Sequence, residues 1–120
     1  MAATKFKHLI VKDVDGVAVV DFINSQLMFE ASNVEEIGIE LNSLISDHGY
    51  SKIVLDFRNV QYLSSTMLAK LASLERHIEI AKGRLTLCGL GPILMDTFRI
   101  GHFERVFSIY DDVESAIRSF

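Results

Sequence analysis

Three hydroxyl residues in a row, Ser64, Ser65 and Thr66, stand where a short apolar run gives way to a helix-period pattern within Val54 to Leu74, VLDFRNVQYLSSTMLAKLASL. Two chemistries are open to hydroxyls at such a handover. An oxygen can accept a hydrogen bond from the unpaired backbone amides of the first helical turn, a cap whose loss typically costs about 1 kcal/mol. An exposed hydroxyl can also be phosphorylated, which adds about -1.5 to -2 charges and three acceptor oxygens. Arg58, just after the apolar run, could reach a phosphate on this loop, although an isolated arginine there is more often solvated surface.

Other reactive side chains form no comparable constellation. His8, His48, His77 and His102 lack the close pairing of a helical zinc motif, and each reads as an exposed or partly buried single histidine. Gly89-Leu90-Gly91 is followed by Pro92, which has no amide hydrogen to offer a phosphate, so it reads as a turn rather than a nucleotide cradle. No GxSxG elbow surrounds Ser64 or Ser65, and Cys88 lies in an apolar run as a buried, reduced thiol. No metal and no cofactor is expected, and an enzyme is the least favoured class.

The elements that must position the hydroxyls can be read from periodicity. Lys52 to Phe57 is almost continuously apolar, as in a strand covered on both faces of a parallel sheet. After the hydroxyls, Leu68, Leu71, Leu74 and Ile78 recur at spacings of three and four, an amphipathic helix running to Gly83. Upstream, Leu9 to Val14 and Val17 to Ile23 flank Asp15-Gly16, the signature of a tight hairpin turn. Leu27 to Phe29 reads either as a short strand or as loop. Ser32 or Asn33 can cap a helix through Val34, Ile37, Leu41, Leu44 and Ile45, with Glu35 and Glu36 favouring its positive end, and Asp47-His48-Gly49 closes it.

Downstream, Arg84 to Cys88 is a strand, Pro92 takes the first position of a short helix to Ile100, and Val106 to Tyr110 is a last strand. Asp111 or Asp112 then caps a helix with Val113, Ala116, Ile117 and Phe120 on one face. Glu114, three residues after Asp111, fits a capping box. The pattern predicts an α/β fold: a mixed sheet opened by a β-hairpin, then alternating strands and helices with right-handed crossovers.

At 120 residues, 49% of them hydrophobic, the chain is expected to form one domain over residues 1–120 without disulfides or metal. No secretory pattern opens it and no eighteen apolar residues run together, so a soluble protein without membrane insertion is expected. A net charge of -4 with dispersed Lys and Arg argues against nucleic acid.

The strand ending in Asp56, the DFRNVQYLSSTMLAKL that contains it, the later RLTLCGLGPILMDTFRIGHFERVFSIYDDVESAI and the order of elements resemble the STAS domain, named for sulfate transporters and anti-sigma factor antagonists. The resemblance covers nearly the whole chain and implies a free-standing, cytoplasmic bacterial member. In such antagonists the loop before this helix carries an aspartate, a serine, a phosphorylatable serine or threonine, and a glycine. Those places fall at Ser64, Ser65, Thr66 and Met67, so Thr66 matches the phosphorylation position, with Ser65 as the alternative. Serine replaces the aspartate and methionine the glycine.

The resemblance implies a non-catalytic interaction module in a phosphorylation-controlled partner switch. Its partner would be an anti-sigma factor that is also a serine-threonine kinase of the histidine-kinase-like ATPase type. Arg58, Ser64, Ser65, Thr66 and Met67, with Met67 half-buried, are the expected contacts, together with the exposed side of the following helix. The alternative is a constitutive STAS subunit of a larger complex, such as a transporter ATPase assembly, that is never phosphorylated. Self-association into a homo-oligomer is compatible with either.

Overall fold

The computed structural model describes residues 3–23 and 31–120, residues 3–5 and 31 by their backbone alone. Strands β1 (Ala3–Lys5), β2 (Leu9–Val14) and β3 (Val17–Phe22) are followed by helix α1 (Ala31–Ser46), β4 (Lys52–Asp56) and α2 (Ser65–Ile80). Strand β5 (Arg84–Cys88), α3 (Pro92–Ile100), a 3-10 turn (Phe103–Arg105), β6 (Ser108–Tyr110) and α4 (Val113–Arg118) complete the order. The strands form one sheet in sequence order, antiparallel from β1 to β3 and parallel from β3 to β6. This is the mixed sheet that the sequence predicts, and the hairpin turns at Asp15 (φ 52°) and Gly16 (φ 87°).

Sequential parallel strands joined by right-handed crossovers must place every crossover helix on the same face. The burial agrees. Val34, Ile37 and Leu41 of α1, Leu71 and Leu74 of α2, and Leu94 and Phe98 of α3 share one core with Ile53, Leu55, Leu85 and Leu87. The intervening strand residues point the other way, as the two-residue period demands. There Val54 and Cys88 meet α4 through Ala116, Val113 and Ile117. The continuous apolar run of β4 is thus explained by cover on both sides.

Several local expectations are corrected. The first strand is β1 rather than the hairpin; three residues, Ala-Thr-Lys, are too few to show a period. Helix α1 already includes Ala31, so Ser32 and Asn33 lie inside it and do not cap it. Glu35 and Glu36 are consequently past its first turn and pair across elements instead, Glu35 with Lys70 at 2.8 Å and Glu36 with Lys7 at 2.9 Å. The last strand shortens to Ser108–Tyr110 because Phe103–Arg105 coil into the 3-10 turn, while Phe107 packs against Phe98 at 5.8 Å between ring centres. Asp112, not Asp111, caps α4, accepting from Ser115 N at 2.8 Å, which shifts Glu114 out of capping-box register. His8 is buried, its Nε2 lying 3.1 Å from Glu36 Oε1, against the exposed or partly buried position expected. Leu27 to Phe29 lie outside the described residues.

Candidate functional site

The site is built at the carboxyl end of β4, where parallel α/β sheets open their crevices. Asp56 ends the strand buried. Its Oδ1 accepts from the Arg58 backbone amide at 3.0 Å and its Oδ2 from Arg58 Nε at 2.8 Å, while the arginine side chain remains 70% exposed. Phe57 N donates to Cys88 O at 2.9 Å and Val60 N to Phe57 O at 2.9 Å, which turns the chain over the end of the sheet. It then runs extended into Ser64 (φ -76°, ψ 159°).

Ser64 is the N-cap of α2: its Oγ accepts from Met67 N at 3.1 Å, and its carbonyl accepts from Leu68 N at 3.0 Å. Ser65 and Thr66 are therefore the first two helical residues, and both are exposed. Neither of their hydroxyls has a hydrogen-bond partner among the described residues. The first turn carries no acidic side chain, so its positive end is not neutralised locally. Serine and aspartate cap about equally well, so Ser64 supplies the cap that an aspartate at this place would supply.

Charge around Asp56 is unevenly held. Asp21 is its register partner on β3; burial first, and then the Asp56 charge, push the Asp21 carboxyl above its ordinary value, against the pull of Lys12. The Asp56 charge and hydrogen bond push the Arg58 guanidinium further up, which keeps it protonated. Burial, followed by the Asp56 charge, pushes the Cys88 thiol up to about 12, so it has no thiolate reactivity at neutral pH.

The expected contact residues separate. Ser65 and Thr66 face solvent as expected, and Ser64 is partly covered by its capping role. Arg58 turns to Asp56 and bonds none of the three hydroxyls. Met67 is fully buried, not half-buried: at the third helical position its side chain points into the core shared with Leu71 and Leu63, so it supports the junction from beneath. It leaves the outer surface of the loop open.

Sequence reasoning missed Tyr62 and Ile93, large apolar side chains 47% and 54% exposed. They rim one groove of about 330 Å³ between the β4–α2 and β5–α3 loops, together with Arg58, Gly89 and Pro92. The pairing of Asp56 with Cys88 brings these two loops to the same end of the sheet. Gly89 adopts φ +72°, and a Cβ there would lie 2.7 Å from Arg58 Cγ and 2.8 Å from Asp56 Oδ1. Only glycine lets the second loop pass this close to the first. The signal was present in Gly89 but needed the strand register to be read.

A chain with this sheet order and this capped, hydroxyl-bearing handover belongs to the STAS domain family, whose model matches residues 8–116. Among curated relatives, BtrV of Bordetella bronchiseptica, named as an anti-sigma factor antagonist, is 28% identical over 95 residues, covering 79% of this chain and 81% of BtrV. An anti-sigma-factor antagonist (STAS) domain protein from Planctomyces limnophilus superimposes with a TM-score of 0.78 at 20% identity, over 92% of this chain and 96% of the other. The Bacillus cell fate determinant SpoIIAA in its phosphorylated form superimposes with a TM-score of 0.67 at 17% identity, over 92% and 97% of the two chains. At these identities the two structures establish a shared fold.

Proposed function

We propose that this protein is an anti-sigma factor antagonist working through a phosphorylation-controlled partner switch in the bacterial cytoplasm. Unmodified, it binds an anti-sigma factor that is also a kinase of the histidine-kinase-like ATPase type; phosphorylated, it releases that partner. The observation that carries this reading is the division of labour at the junction: Ser64 does the capping, leaving the Thr66 hydroxyl exposed and, among the described residues, unbonded. Thr66 is the acceptor, with Ser65 as the alternative. Its Oγ1 attacks the γ-phosphorus of ATP, the bond to the β-γ bridging oxygen breaks, ADP leaves, and the hydroxyl proton passes to the kinase. The chain is the substrate of this chemistry and performs none itself.

The switch acts on the partner rather than on the fold. A phosphate on the first turn of α2 lies at the positive helix end and stabilises its own domain by roughly 0.3 to 1 kcal/mol. A partner covering Thr66 has to desolvate a dianion, and an uncompensated buried charge costs several kcal/mol. With about 1.4 kcal/mol per tenfold in affinity, release by two orders of magnitude or more follows.

Intact-mass analysis and fragment mapping of the protein isolated from its own cells test this directly, with the phosphate expected on Thr66 or Ser65. Thr66→Glu should lower affinity for the co-purifying partner by about 100-fold or more, and Thr66→Ala should keep it bound when ATP is added. Phosphate found only elsewhere, or equal modest effects of both substitutions, would favour a second reading: a constitutive STAS subunit of a larger assembly. That reading is supported by Ser64 and Met67, which stand where the antagonists' aspartate and glycine are expected.

A further inference from the structure

We propose that the groove between the β4–α2 and β5–α3 loops receives a partner segment in which an apolar side chain stands beside a carboxylate. This rests on the reading of the junction as a partner-binding face and adds the chemistry of what binds there. The cavity of about 330 Å³ has Tyr62 and Ile93 as exposed apolar rims and Pro92 on its wall. Its two glycines, Gly89 and Gly91, contribute no side chain to fill it. An apolar side chain seated there removes the rims from water, which is the main driving force for such contacts.

Among the described residues, Arg58 is the one charged residue lining the groove. Asp56 binds Arg58 through Nε from the buried side, and the terminal guanidinium nitrogens have no partner among the described residues. Those donors form the fork that a carboxylate accepts. The ion pair with Asp56 orients the guanidinium through Nε, and Gly89 passes close to the base of the same side chain. Guanidinium donors left over from the pair with Asp56, presented at an apolar groove, favour an acidic partner segment over a basic one.

The full chain, immobilised, is panned against a random dodecamer peptide display library. Enrichment of peptides with an aromatic or branched aliphatic residue next to Asp or Glu is expected. Binding of an enriched, labelled peptide should fall about tenfold or more in Ile93→Asp and in Arg58→Gln. It should be unchanged in Ile100→Asp, which alters an exposed residue of the same helix outside the groove. Ile93 is exposed, so its variant keeps the test valid even where Arg58→Gln disturbs Asp56.

Enrichment of basic peptides, no enrichment, or equal binding by Ile93→Asp overturns the proposal. So does sedimentation showing a dimer of the unmodified chain that Ile93→Asp converts to monomer, because a second copy would then fill the groove. Peptide capture that depends on Ile93 in a chain never phosphorylated at Thr66 or Ser65 removes the switch and leaves the groove. Phosphorylation at Thr66 without such capture does the reverse.

Discussion

Helix α2 treats negative charge oppositely at two places along its length. At its start, Ser64 supplies the side-chain cap, Ser65 and Thr66 face water, and no acidic residue occupies the first turn. Free backbone amides and the positive helix end make this a place where added negative charge is favourable. Nearer its other end, Glu75 and Glu79 sit one turn apart; burial, followed by the charge of Glu79, pushes the Glu75 carboxyl up to about 7. One of its oxygens is buried with no hydrogen-bond partner among the described residues. The proposed switch needs the first environment, and the second shows what the same helix does with two like charges one turn apart.

The comparison is sharpened most by removing the cap. Ser64→Ala should cost about 1 kcal/mol, measured as the loss in urea unfolding free energy, because the Met67 amide loses its acceptor. An unchanged stability would mean that Ser64 is not the residue organising the start of α2. Next comes charge placed on the exposed Thr66: Thr66→Glu should raise stability by about 0.3 to 1 kcal/mol, more at low than at high salt, even as, under the proposed switch, it lowers affinity for the partner. A variant weakened in both respects would show the start of α2 to be less receptive to negative charge than its free amides imply.

How far the sequence reveals this arrangement depends on the range of the interaction. Local patterns located β4, α2 and β5 because an apolar run or a three-four spacing records burial directly, and they placed Ser64, Ser65 and Thr66 at the handover because capping is a contact between near neighbours. The depth of Met67 was misjudged because the third helical position can face outward or inward, and only the placement of α2 over the sheet decides it. Tyr62 and Ile93 are about thirty residues apart and share a groove only because β4 and β5 pair in parallel. Nothing in either residue's own neighbourhood encodes that meeting. Likewise the cap of α4 stayed open between Asp111 and Asp112, which are chemically equivalent until the helix direction selects Asp112.

The smallest expected effect concerns Glu75, which is partly exposed and therefore screened. Its folded value of about 7 lies above the 4.5 of a free glutamate, so between these values the folded protein holds a proton that the unfolded chain has released. The stabilising contribution is fully present below the unfolded value and is lost as the pH rises through the folded one. Glu75→Gln carries no charge at any pH and can donate to Glu79, so it should escape that loss. Urea unfolding at about pH 4 and about pH 8 should show the two proteins nearly equal at the lower pH and the variant more stable at the higher. A gap of the same size at both would place the cost of Glu75 in packing rather than charge, and the contrast between the two places along α2 would no longer be electrostatic.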